Sequence, residues 1–170
     1  MDACSRSGPV VLGYTCQTAE YIIRATALKY SQAPKNPNTR TTGVPDSKVA
    51  FKVEEILKGD SLFSPIELNG YLTDDDDFNT LPVPYRFARP GAHKGSCYAN
   101  QYKQGAQYLL FLRKSTHVKW VRATTALTVN IDALAPVNEQ LHSPHDPWMY
   151  YIKGVIEGLK VANTTNKVAK

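Results

Sequence analysis

Three cysteines and one short histidine-aspartate run are the residues best able to do chemistry in this chain. Cys4, Cys16 and Cys97 are too few for a disulfide framework and too far apart in sequence for a four-ligand zinc site of familiar spacing. That leaves one disulfide with one thiol over, or three reduced, buried thiols in a cytosolic protein. His142, His145 and Asp146 stand close enough for a short loop to converge two imidazoles and a carboxylate on a metal ion. Pro144 between the histidines, and the placing of Asp146 to cap a helix, favour a helix-entry turn instead. His93 and His117 are isolated in polar surroundings. A cysteine nucleophile needs a nearby histidine, and His93 lies four residues before Cys97, but a disulfide role explains that cysteine more economically. No Gly-x-Ser-x-Gly elbow, phosphate loop or dinucleotide fingerprint occurs, so neither a catalytic centre nor a cofactor is expected.

Charge narrows the partners. A formal charge of +5 favours acidic surfaces, yet the lysines and arginines are scattered singly and not interleaved with aromatics as in a nucleic-acid footprint. The densest charge run is acidic, Asp74 to Asp77, and lacks the alternating ligands and glycine of a calcium loop, so a solvated acidic loop is expected. No apolar stretch is long enough to cross a bilayer. Asn163-Thr164-Thr165 is a glycosylation sequon, consistent with secretion but common by chance.

The elements that must position these residues are mostly strands. With 170 residues, 42% hydrophobic and 21% charged, the chain has the composition of one ordinary globular domain. Alternation marks a strand over Tyr21 to Tyr30, and a second over Lys48 to Leu57 whose phase slips at Glu55-Ile56 before the Lys58-Gly59-Asp60 turn. Ile66 and Leu68 mark a third. The continuous apolar run from Gln107 to Leu112 reads as a central strand buried on both faces, and Val118 to Arg122 follows at hairpin distance. Long loops separate them at Ser31 to Ser47 and Thr73 to Lys103. Asp146 then caps a helix with Pro147 in its first position, and Trp148, Tyr151, Ile152, Val155 and Leu159 share one face. Gly154 and Gly158 each weaken that helix by about 1 kcal/mol relative to alanine, so burial must hold it. The expected fold is mainly β, a five-stranded OB-type barrel with a C-terminal α-helix, spanning 4–160 as a single domain with a polar tail over 161–170.

Cys4, eleven residues, then Cys16 leading at once into Gln17-Thr18-Ala19-Glu20-Tyr21-Ile22-Ile23-Arg24-Ala25 resembles the N-terminal segment of the tissue inhibitors of metalloproteinases. Val49 to Lys58, ending in Lys-Gly, resembles the second strand of their netrin-like domain, and Cys97 precedes Tyr108-Leu109-Leu110 as a cysteine precedes a similar strand there. The likeness covers roughly residues 4 to 122. It implies a disulfide between Cys4 and Cys97, worth roughly 4 to 5 kcal/mol for so long a loop in the entropic model. Arg6 stands where the family has its second cysteine, which leaves Cys16 unpaired.

The resemblance also implies a mechanism. In these inhibitors the amine and carbonyl of the first cysteine chelate the enzyme's zinc, so Cys4 would be the chelator and Ser5 would enter the substrate pocket. Met1-Asp2-Ala3 precede Cys4, and small Ala3 suits the position before a processing site that would free its amine. The expectation is thus a secreted, extracellular (or, in a bacterium, periplasmic) monomer that binds an extracellular protein, a zinc metalloproteinase by resemblance. An extracellular netrin-like module that binds a matrix or receptor partner without inhibiting a protease is the alternative, and a small metal-dependent enzyme the second.

Overall fold

The computed structural model describes residues 12–35, 45–62, 64–87, 89–90, 100–121, 124–133 and 138–168. Helix α1 (Leu12–Thr18) leads into strands β1 (Tyr21–Gln32), β2 (Lys48–Lys58), β3 (Ile66–Asn69), β4 (Tyr71–Thr73), β5 (Gln101–Lys103), β6 (Gln107–Val121), β7 (Thr124–Ala133) and β8 (Glu139–Gln140), and helix α2 (Pro147–Val168) closes the order. The protein is mainly β with a C-terminal helix. One antiparallel sheet runs in the order β3-β2-β1-β6-β7, with β8 on β6, while β4 and β5 form a separate parallel pair. Placing β6 beside β1 after the β1-β2-β3 meander is a Greek-key arrangement.

Strand periodicity explains why this sheet carries two cores. Along β1, Tyr21, Ile23, Ala25 and Ala27 face one cluster while Ile22 faces the other; along β6, Tyr108, Leu110 and Leu112 oppose Leu109 and Phe111 in the same way. Both faces of the Gln107 to Leu112 run are therefore buried, as its unbroken apolar sequence requires. Small and large residues meet across the ladders, Ala25 against Tyr108 and Ala27 against Phe51. The space over the alanines is filled by Phe51, Tyr102 and Tyr108, packed edge to face with centroids 4.8 to 6.2 Å apart. Register shifts in the β1-β2 ladder between Ile22 and Ile23 and between Arg24 and Ala25 flank the expected phase slip at Glu55-Ile56, which itself pairs in register.

The second core lies under α2. Met149, Trp148, Ile152 and Ile156 pack with Cys16 of α1, Ile22, Leu109, Phe111 and Leu141, each such burial contributing roughly 1.5 to 3 kcal/mol. Asp146 caps the helix, its Oδ1 accepting from the Trp148 amide at 2.9 Å. The buried face is rotated from the expected one, however. Met149 and Ile156 lie inside, whereas Tyr151 is 38% exposed and stacks on the outside of Trp148.

Several expectations are corrected. Among the described residues the sheet is not a closed barrel, because no ladder joins β3 to β7. Val118 to Val121 is no separate strand but the end of β6, whose hairpin partner is β7. The Thr73 to Lys103 stretch ends in β5, and α2 continues through Asn163 to Val168, where a polar tail was expected. At the end of β2 the turn is as expected: Gly59 has φ of 104°, and a Cβ there would clash with the Tyr21 ring.

Candidate functional site

Cys4, Ser5 and Cys97, with the bond expected between the two cysteines, fall outside the described residues, as does His93. What is described is the root from which the N-terminal segment springs. Helix α1 has only seven residues, too few to be stable alone, and is fixed from three sides. Cys16 anchors it in the core under α2 as a free, fully buried thiol. Burial pushes that thiol up to about 11 despite the nearby Lys58 ammonium, so it is protonated and unreactive at neutral pH. The chain then turns into β1 through the Glu20 amide, which donates to the Leu112 carbonyl at 2.9 Å.

Lys58, the last residue of β2, supplies the third restraint. Its Nζ donates to the carbonyls of Cys16 at 2.8 Å, Gln17 at 3.0 Å and Ala19 at 2.6 Å, using its three N–H bonds on the C-terminal end of α1. A cation at that end also opposes the negative pole of the helix. Beside it opens a groove of 370 Å³ whose walls include Thr18, Glu20, Tyr21, Asp60 and Lys114. The Lys114 ammonium sits 5.2 Å from the centre of the Tyr21 ring, and a side-chain hydrogen bond with the same tyrosine holds it above its usual range.

A second constellation was not legible in the sequence. Arg89 has no exposed surface, and its guanidinium lies 5.5 and 5.2 Å from the Tyr102 and Tyr108 ring centres. Nη1 donates to Asp77 at 2.6 Å and Nε to the Asn138 carbonyl at 2.8 Å, while its backbone amide donates to Glu139 Oε1 at 3.1 Å. The Asp77 carboxylate thus pairs with the buried guanidinium, while Glu139 meets Arg89 through the arginine's backbone amide. Glu139 is 2% exposed, and burial pushes its carboxyl up to about 8 in spite of Arg89, so it is mostly protonated at neutral pH. The neighbouring acids extend the contact: Asp76 accepts from Lys103 Nζ at 2.7 Å and from Gln140 Nε2 at 2.6 Å, and the Asp77 amide donates to Gln140 Oε1 at 2.8 Å. The acidic run is not simply a solvated loop. Asp76 and Asp77 clasp the excursion after β4 to β8.

Asn79 shapes the tip of that excursion. Its Nδ2 donates to the Phe87 carbonyl at 2.8 Å and its Oδ1 accepts from the Leu81 amide at 3.1 Å, so the 79–87 loop is closed on itself with Leu81 and Phe87 about 40% and 39% exposed. Inside the loop, Tyr85 stacks on Trp148 at 4.6 Å.

The histidine run forms the entry to α2. His142 Nδ1 lies 3.0 Å from Asp146 Oδ2, its ring stacks on Phe78, and its backbone amide also meets Asp146 at 2.9 Å. His145 Nδ1 instead lies 3.1 Å from the Tyr150 hydroxyl. The two imidazoles are committed to different partners, and no group of three or more histidine, cysteine or acidic side chains converges on a metal position among the described residues. Nor is any described helix long and apolar enough to cross a membrane.

No protein-family model matches the sequence, and neither a curated protein nor a solved structure does. The functional reading therefore rests on the chain's own residues.

Proposed function

We propose that this chain is a secreted, non-catalytic binding module with an OB-type strand arrangement of the netrin-like kind, which engages an extracellular zinc metalloproteinase through the segment beginning at Cys4. The observation that carries the reading is the strand order. β3-β2-β1-β6-β7 is the order met on walking round an OB barrel, and β3 and β7, its two edges, approach within 8 Å between Cα atoms. Both strands run parallel to β1, so the seam between them has the polarity such a barrel needs. The root of the N-terminal segment adds support, because a contact element that must meet an enzyme cleft in one pose gains affinity from being held beforehand. Lys58, Cys16 and the Glu20 amide provide that holding.

On this reading the Cys4 amine and carbonyl form a bidentate ligand for the enzyme's zinc, with Ser5 directed into the pocket. The test titrates two forms of the chain, one starting at Cys4 and one retaining Met1-Asp2-Ala3, against a panel of zinc metalloproteinases. Stoichiometric inhibition by the first form and its loss in the second is the expected result; equal inaction of both, with the Cys4-Cys97 bond verified, removes the mechanism.

The second reading, a module that binds a matrix or receptor partner without inhibition, is favoured by the 79–87 loop, a rigid support presenting Leu81 and Phe87 to solvent. Partner capture lost on changing both to serine, with protease activity untouched throughout, would select it.

A further inference from the structure

The sequon left unused above lies in an unusual part of α2. The helix touches the core through Met149, Ile152, Ile156 and, partly, Leu159, and residues 160–165 beyond them are all exposed. Val161 is 66% exposed. Asn163, Thr164, Thr165 and Asn166 are poor helix formers, so this stretch has neither packing nor propensity to keep it closed. Its hydroxyls are turned inward: Thr164 Oγ1 donates to the Lys160 carbonyl at 2.9 Å and Thr165 Oγ1 to the Val161 carbonyl at 3.0 Å, a pattern that competes with the helix and weakens it. Asn163-Thr164-Thr165 is also the only sequon in the chain.

We infer that Asn163 is an N-glycosylation site, modified while this last part of α2 is open. The inference rests on the secreted reading above. Chemically, Asn163 Nδ2 forms a bond to the anomeric carbon of an oligosaccharide carried on a polyprenyl diphosphate. The bond from that carbon to the diphosphate breaks, the diphosphate leaves with the electron pair, and the amide proton passes to a base of the transferase. Opening the helix frees the Thr165 hydroxyl for the transferase and costs no core contact. Once attached, the glycan projects from a stretch of helix, residues 160–165, that is exposed among the described residues.

Intact mass of the chain from its native source, measured with and without peptide N-glycosidase and with and without reduction, decides the matter. A glycan removed by the enzyme, leaving an aspartate at the modified position, is the expected result. A Cys4-Cys97 bond without a glycan overturns this inference and leaves the secreted reading standing, whereas neither bond nor glycan overturns both. Expression behind an unrelated secretory leader, which delivers the chain to the lumen whatever its native address, checks the position: the mass shift should vanish completely in Asn163→Gln and in Thr165→Ala. A shift that survives either substitution places the glycan elsewhere and sinks the assignment.

Discussion

The β1-β6 centre of the sheet and Arg89, at the heart of the clasp that ties the acidic excursion to β8, are equally buried and held by opposite means. In the centre, Ile22, Ile23, Leu109, Leu110 and Phe111 reach 0% exposure with apolar neighbours on both faces. At the clasp, Arg89 is as deeply buried, but its guanidinium meets Asp77, the Asn138 carbonyl and two tyrosine rings, and its backbone amide meets Glu139. Apolar contacts are non-directional and degrade gradually when one is lost. A buried ion cluster has matched parts, and removing one leaves the rest uncompensated.

The largest expected effects test this contrast directly. Arg89→Met should destabilise by about 3 to 5 kcal/mol, because the Asp77 carboxylate loses its cation, and adding Asp77→Asn should recover much of the loss. Phe51→Ala should cost a similar 3 to 5 kcal/mol by opening a cavity against Tyr102 and Tyr108, and no polar second change should rescue it. Urea unfolding of the wild-type chain and these variants reads both; rescue in the apolar case, or none at the clasp, would erase the distinction.

Titration gives the next effect. Glu139 is raised to about 8 in the folded protein from 4.5, so between those values the folded chain keeps a proton that the unfolded chain releases. Its contribution is fully present below pH 4.5 and is lost as pH rises to about 8. At roughly 1.4 kcal/mol per pH unit the loss is on the order of 5 kcal/mol. Glu139→Gln should flatten this part of the stability profile, measured from pH 5 to 9, and a parallel profile in the variant would locate the proton elsewhere. Smallest are the helix ends. Asp146→Ala should cost about 1 kcal/mol by uncapping α2. Lys58→Met should cost roughly 1 kcal/mol and show as faster amide exchange in α1, with β1 unaffected.

How much of the fold was legible follows the same division. Alternation located β1, β2, β3 and the inner part of β6, and the Asp146-Pro147 pair located the start of α2, since each signal lies within a few residues of the element it marks. β6 was split because Lys114, Ser115, Thr116 and His117 interrupt its apolar run, although the strand continues through them in register with β7. β7 did carry a signal, Leu127, Val129 and Ile131 alternating with Thr128, Asn130 and Asp132, that went unread. α1 carried none, being a short segment with a glycine that is held by Cys16 and Lys58 from outside. The clasp could not be read at all. Asp77 and Arg89 are twelve residues apart with no period linking them, and Glu139 and Gln140 join them only through the fold.

The chain's lysines differ sharply in what their amines are free to do. Lys58 has all three N–H bonds engaged by carbonyls of α1, while the Lys52 and Lys160 side chains are more than half exposed and bound only to neighbouring acids. The neutral amine attacks an acylating reagent through its lone pair, and to present one Lys58 must first let go of the helix. In limited labelling it should therefore be among the last amines to react, and its label should appear only as α1 comes loose, which makes that single side chain a chemical reporter of whether the N-terminal segment is seated.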